Sequence, residues 1–225
     1  MSFAQDGGLS LPTEKLVPAP VTVSNHPLIR HKLALLRSVE TPPLIFRSLV
    51  YEIAQTLFYE ATLDVPLKTV TVQTPLVTCQ AEQLAVKVGF VPVLRAGLGM
   101  ANAMLDALPE AAVWHLGLYR DHATLKPHTY YNKLPAKPDM GLGLVLDPML
   151  ATGGSAIEAI NLVKKANTPH VKFIGLIASP EGVAALQAAH PDVAIHLAAI
   201  DEKLNEHGYI VPGLGDAGDR QFGTS

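Results

Sequence analysis

The feature that most constrains this chain is an alternation. Short, continuously apolar runs at 86–94, 113–118, 142–146, 171–178 and 193–200 are separated by segments of about ten residues that read as helices. A strand that is apolar at every position is covered on both faces, as happens in a parallel sheet flanked by helices. Right-handed βαβ crossovers then follow, and with them a mainly parallel α/β domain. Composition supports this reading. Of 225 residues, 48% are hydrophobic and only 16% are charged, with a mean hydropathy of +0.24. That is more apolar material than one buried sheet needs, so self-association as a homo-oligomer is expected.

Before the alternation begins, residues 1–25 mix Gly, Pro, Ser and Ala without periodicity and read as a flexible N-terminal arm; residues 26–225 read as a single domain. A basic helix is expected from His26, with Leu28, Leu33, Leu35 and Leu36 among Arg30, Lys32 and Arg37. Thr41 is the expected N-cap of a second helix that runs through Tyr59, with Pro42 in its first position and Ile45, Leu49, Ile53 and Leu57 on one face. Residues 67–79 are β-branched around Thr74-Pro75 and predict a hairpin or a bent edge strand.

Several functions fall away. No apolar run is long enough to span a bilayer, so no membrane association is expected. The opening residues carry Asp6 where an export signal would be positive, and they lack an apolar core, which predicts a cytoplasmic protein. Cys79 is the only cysteine, so no disulfide or cysteine-rich metal site can form. A net charge of −3 and a pI near 6.3, without Lys/Arg runs, give no footprint for nucleic acid.

The alternation also says where to look for a site, because ligands of open α/β sheets bind beyond the carboxyl ends of the strands. Arg95, Arg120, Asp147, Glu181 and Asp201 all fall just past predicted strands. For Glu181 and Asp201 the plainer reading is that they cap buried strands. The run LGLVLDPMLATGGSAIEAI (142–160) is more informative. A buried strand ends in Asp147, turns at Pro148, and reaches Thr152-Gly153-Gly154-Ser155 at a helix start. Paired glycines, two hydroxyls and a helix N-terminus make an anion cradle suited to phosphate, although an ordinary capped turn would share the pattern. No Gly-Lys-Ser/Thr follows, and Gly97-Leu98-Gly99 lacks a third glycine at Asn102, so neither a nucleotide triphosphate loop nor a dinucleotide fingerprint is present. A carboxylate beside a phosphate cradle repels the ligand unless it meets hydroxyls or a cation. Asp147 therefore points to a sugar phosphate.

Three further segments accompany this loop. Arg95 precedes small residues on a strand-to-helix turn, a combination suited to a pyrophosphate, although the loop alone reads more simply as a surface arginine on a Gly-rich turn. The polar stretch from Arg120 to Asp139 is long for a compact domain and predicts a functional flap or a disordered loop. The C-terminal NEHGYIVPGLGDAG (205–218) is dense in turns and aliphatics, as expected of a segment that folds over something.

Together, VPVLRAGLGM (91–100), Tyr119-Arg120, LVLDPMLATGGS (144–155), SPEG (179–182) and LNEHGYIVPGLGDAGDRQFGT (204–224) resemble the uracil phosphoribosyltransferases, from about His26 to the end. The resemblance implies a type I phosphoribosyltransferase fold with a C-terminal hood and a mobile arm over the site. It implies transfer of phosphoribose from 5-phosphoribosyl 1-diphosphate (PRPP) to N1 of uracil, giving UMP. Asp147, Pro148, Met149, Leu150, Ala151, Thr152, Gly153, Gly154 and Ser155 would hold the 5′-phosphate and ribose, and Arg95 and Arg120 the diphosphate. Ile210, Gly215, Asp216 and Ala217 would hold uracil, with Asp216 also near PRPP or its Mg²⁺. Members form dimers or higher assemblies, and some respond to GTP, for which Lys32 and Arg37 are the candidate contacts. Ser179 stands where the family often has alanine, a difference expected to be neutral. A competing reading is a nucleotide-sensing regulator on the same fold that binds RNA; the absence of a basic face speaks against it.

Overall fold

The structure is a computed structural model, and it describes residues 19–120 and 127–224. In chain order the elements are β1 (Val21–Val23), α1 (Pro27–Arg37), α2 (Pro43–Ala61), β2 (Leu67–Gln73), β3 (Thr78–Leu84), β4 (Val88–Leu94) and α3 (Leu98–Ala107). Then come β5 (Ala112–Val113), β6 (Leu116–Arg120), β7 (Pro127–Asn132), β8 (Leu142–Leu146), β9 (Met149–Leu150) and α4 (Gly154–Lys165). The chain ends with β10 (His170–Ala178), α5 (Pro180–Ala189), β11 (Ala194–Ile200), β12 (Lys203–Leu204), β13 (Ile210–Val211) and α6 (Ala217–Phe222).

The central sheet runs β1-β11-β10-β8-β4-β6-β7, with β5 also on β4 and β9 on β10. Every pairing in it is parallel except β6 with β7. Strand alternation divides the core between the two faces. Phe90, Leu144 and Ile174 pack with α1, α2 and α3, whereas Val91, Val145 and Phe173 pack with α4 and α5. All six are inaccessible to solvent, which is why these strands read as unbroken apolar runs.

The structure refines several expectations. Residues 21–23 of the presumed arm form the edge strand β1, in parallel register with β11 from Val21↔Ile195 to Val23↔Leu197, so the domain begins earlier than residue 26. The arm's first 18 residues lie outside the described residues. His26 caps α1, its Nδ1 accepting from the Leu28 N–H at 3.2 Å. Thr41 does not cap α2. Its hydroxyl donates to the Leu35 carbonyl at 2.6 Å, and Pro42 takes the N-cap position instead. The apolar face of α2 is Phe46, Leu49, Val50, Ile53 and Leu57, whereas Ile45 is exposed.

The run at 113–118 is interrupted between β5 and β6, although Gly89↔Ala112 and Val93↔Leu116 keep one register. Pro92, on the facing strand, has no N–H to give to the ladder there. The hairpin is β2–β3, a separate two-stranded sheet with Val72↔Cys79 in register and Leu76 at its tip 95% exposed. No helix among the described residues is long and apolar enough to cross a membrane.

Candidate active site

A cavity of about 920 Å³ opens at the carboxyl ends of β4, β6 and β8. Its floor is Val93, Leu94, Arg95, Ala96 and Leu118; one wall is Asp147, Met149, Ala151 and Ser155; the roof is Asn205 to Ile210, with Asp216 and Gly218.

The wall is built by the sheet itself. Asp147 N–H donates to the Ile174 carbonyl at 3.2 Å, and the Pro148 carbonyl accepts from Leu176 and Ile177, each at 3.0 Å. Leu150 is buried in the core, and β9 continues the pairing with β10. Gly153 then turns the chain at φ +82° into α4, a conformation open to glycine but costly to other residues. No side chain caps α4, so its first N–H groups keep their partial positive charge at the wall. Ser179 supports the loop from below. It accepts from Gly182 N–H at 2.9 Å, capping α5, and donates to the Ala151 carbonyl at 2.6 Å. The serine expected to be neutral is therefore a strut.

Asp147 is half-buried, and its Oδ1 accepts from Met149 N–H at 3.2 Å. Burial pushes its carboxyl up from 3.8 to about 7; the Met149 bond opposes this, and the nearby charge of Asp216 adds to it.

The roof is built differently. Arg37 donates from Nη1 to Asp201 Oδ2 and to the Gly213 carbonyl, both at 2.7 Å, and from Nη2 to Asp201 Oδ1. Asp201 also accepts from Gly213 N–H at 2.9 Å. Arg220 donates to the carbonyls of Leu36, Leu214 and Ser38 and stacks over the Phe46 ring at 4.4 Å. Arg47 donates to the Gln221 carbonyl at 2.6 Å, and the Gln221 amide donates to the Ala96 carbonyl at 2.9 Å. Asn205 Oδ1 accepts from His207 and Tyr209 N–H, which fixes the turn above the cavity. Arg37 is thus committed to the roof, and Lys32 pairs with Glu52.

Of the residues singled out in the sequence, the structure brings Arg95, Asp147, Met149, Ala151, Ser155, Ile210 and Asp216 to one cavity. Pro148, Leu150, Thr152, Gly153 and Gly154 shape the wall without lining it, and Ala217 is fully buried beside the exposed Gly215. Arg120 ends β6, but its side chain lies outside the described residues, as do residues 121–126 of the expected mobile arm. Gly97 and Gly99 serve packing rather than the ligand. A Cβ on Gly97 would lie 2.5 Å from the Leu146 carbonyl, and one on Gly99 would lie 2.3 Å from Gln221 Oε1. Asn205, Glu206, His207, Gly208, Tyr209 and Gly218 are lining residues the residue-level reading missed, although the turn density of 205–218 had marked their segment. Glu181 accepts from Leu204 N–H and Asp201 holds Arg37, so each ties separate segments together and neither lines the cavity.

A parallel sheet with an anion cradle after β8, an arginine after β4 and a separate roof over both defines a type I phosphoribosyltransferase fold. The family model for uracil phosphoribosyltransferase matches residues 23–224. The uracil phosphoribosyltransferase of Roseiflexus sp. is 63% identical over 206 residues, covering 92% of this chain and 99% of that protein. That of Roseiflexus castenholzii is 61% identical over 204 residues, covering 91% and 98%. A solved structure, the AQ2163 protein from Aquifex aeolicus, superposes with a TM-score of 0.87 at 38% identity over 92% of this chain and 99% of that one. The chain belongs to the uracil phosphoribosyltransferase family, a family of pentosyl-transferring enzymes.

Proposed function

We propose that this protein transfers the 5-phosphoribosyl group of PRPP to N1 of uracil, releasing UMP and pyrophosphate. The observation that carries the reading is that one cavity joins the α4 cradle, the Arg95 turn and a roof of turns. The substrate that needs all three has a terminal phosphate, a diphosphate and a planar partner. Ser155 and the first turn of α4 receive the 5′-phosphate, and Asp147 accepts from ribose hydroxyls. Arg95 and Arg120 take the diphosphate, while Ile210 and the backbone from Gly215 to Ala217 hold uracil. As the bond from C1 to the diphosphate breaks, positive charge grows on the ribose while negative charge grows on the leaving group. The carboxylates of Asp147 and Asp216 and the guanidinium of Arg95 line the one cavity, which supplies a group of the opposite sign for each of these charges. The roof excludes water that would otherwise hydrolyse PRPP.

Mg²⁺ fits this arrangement. Among the described residues no three or more His, Cys, Asp or Glu side chains gather as a metal cage, yet Asp147 and Asp216 face the cavity. Magnesium is commonly held by one or two carboxylates together with substrate phosphates, and when bound it would neutralise charge on the leaving diphosphate. A homo-oligomer belongs to the same reading, supported by the exposed Leu76 and Val77 at the hairpin tip and by Val39, Leu44 and Leu63. No observation favours the RNA-binding alternative.

The test is UMP formation from uracil, PRPP and Mg²⁺, run with and without GTP. Asp147→Asn is expected to lower kcat/KM for PRPP by about 10–100-fold. Near wild-type UMP formation by that variant would refute the role given to Asp147.

A further inference from the structure

Arg95 does not reach into the cavity unassisted. Its Nη2 donates to Asp219 Oδ1 at 2.9 Å, and its Nη1 donates to the Thr224 hydroxyl at 3.2 Å. The same hydroxyl donates to Asp219 Oδ1 at 2.8 Å, closing a three-membered ring of contacts. Both partners are placed by the backbone of α6. Asp219 N–H donates to Asp216 Oδ1 at 2.9 Å, while the N–H groups of Gly223 and Thr224 close on the Asp219 carbonyl.

This ring contributes little to the fold. The side chains of Arg95 and Asp219 are 54% and 35% exposed, and ion pairs so open to solvent add little stability. α6 is already held by Arg220, Arg47 and Gln221. What the ring does fix is direction. A guanidinium has five N–H groups in a rigid fork, and two of Arg95's are taken by Asp219 of α6 and by Thr224 just past its end. Among the described residues the other three have no hydrogen-bond partner, and Arg95 lines the cavity.

We propose that Asp219, supported by Thr224, is a positioning residue for Arg95, fixing the fork so that the diphosphate of PRPP meets a preoriented cation. The proposal rests on the reading of Arg95 as a diphosphate contact. Without Asp219 the side chain must be ordered at the moment of binding, and the loss falls on PRPP rather than on uracil.

PRPP with Mg²⁺ is titrated calorimetrically into the wild type, Asp219→Ala, Asp219→Asn, Arg95→Gln and the Asp219→Ala/Arg95→Gln double variant, with UMP synthesis followed in parallel. Asp219→Ala is expected to weaken PRPP binding about 5–10-fold, and Asp219→Asn, which keeps an acceptor oxygen, about 2-fold. The KM for uracil stays within about 2-fold. On the Arg95→Gln background, Asp219→Ala adds nothing further, as expected of a residue that acts only through Arg95. Unchanged or tighter PRPP binding by Asp219→Ala overturns the proposal, as does the same loss on both backgrounds. If Asp219→Ala melts early, Thr224→Val carries the test, with about 2–3-fold weaker PRPP binding expected and no change overturning it. A wild type that binds PRPP but makes no UMP overturns the assigned reaction without touching the Asp219 comparison. A wild type that does not bind PRPP overturns both.

Discussion

The wall and the roof of the cavity are held by opposite means. The loop from Asp147 to Ser155 is fixed by main-chain bonds to β10, by a short strand and by one left-handed glycine. The segment from Lys203 to Phe222 has only a two-residue ladder of its own, β12 with β13. It is held down by Arg37, Arg47, Arg220, Gln221 and Asp201, across 125 to 184 residues of sequence. A wall fixed by backbone has no single side chain whose loss dismantles it. A roof fixed by guanidinium groups has several.

The sharpest way to break that contrast is Arg37→Met. It leaves the Asp201 carboxylate, only 3% exposed, without its cation and the Gly213 carbonyl without its donor. The expected loss is about 3 kcal/mol, with the KM for uracil rising more than that for PRPP. Denaturant unfolding and the two KM values check it.

The second prediction turns on Asp147, where the wall carries a cost of its own. Its carboxyl is raised from 3.8 to about 7 in the fold, so the folded state holds a proton that the unfolded chain has released between those pH values. Stability is therefore unpenalised below about pH 4, falls as the pH rises from there to about 7, and levels off above it. Asp147→Asn is expected to be about 2 kcal/mol more stable than the wild type at pH 8 and equal to it at pH 4, even as it loses activity. Urea unfolding at the two pH values decides it, and a pH-independent difference would count against the buried carboxyl.

The third and smallest effect tests the backbone side. Gly153→Ala must adopt φ +82° and place a Cβ 3.2 Å from both the Ala185 Cβ and the Gly182 carbonyl. A loss of about 1–2 kcal/mol with weakened PRPP binding is expected, and an unchanged melting temperature would mean that the turn relaxes.

The same contrast explains what could be read from the sequence. The wall was legible because its determinants are adjacent: Asp147, Pro148, the two glycines and Ser155 all lie within one loop. The sheet was legible because burial on both faces writes itself as continuous apolar runs. The roof was visible only as a density of turns at 205–218. Nothing local in the sequence tells Arg37 that its partner is Asp201, 164 residues away. Thr41 and the break at 114–115 misled for a similar reason, since Pro42 and Pro92 redirect hydrogen bonds whose other ends are set by packing. β1 was hidden because three residues beside a Pro-rich stretch carry too little pattern, whereas pairing with β11 decides their state.

The anchoring of the roof also sets an order of events during synthesis. Asp147, Ser155 and β10 lie close together in sequence, so the wall of the cavity draws on neighbouring residues. Arg37, made much earlier, waits for Gly213, and Leu36 and Ser38 wait for Arg220. A nascent chain would thus present the wall of the cavity without its roof until residues 213–220 have been made.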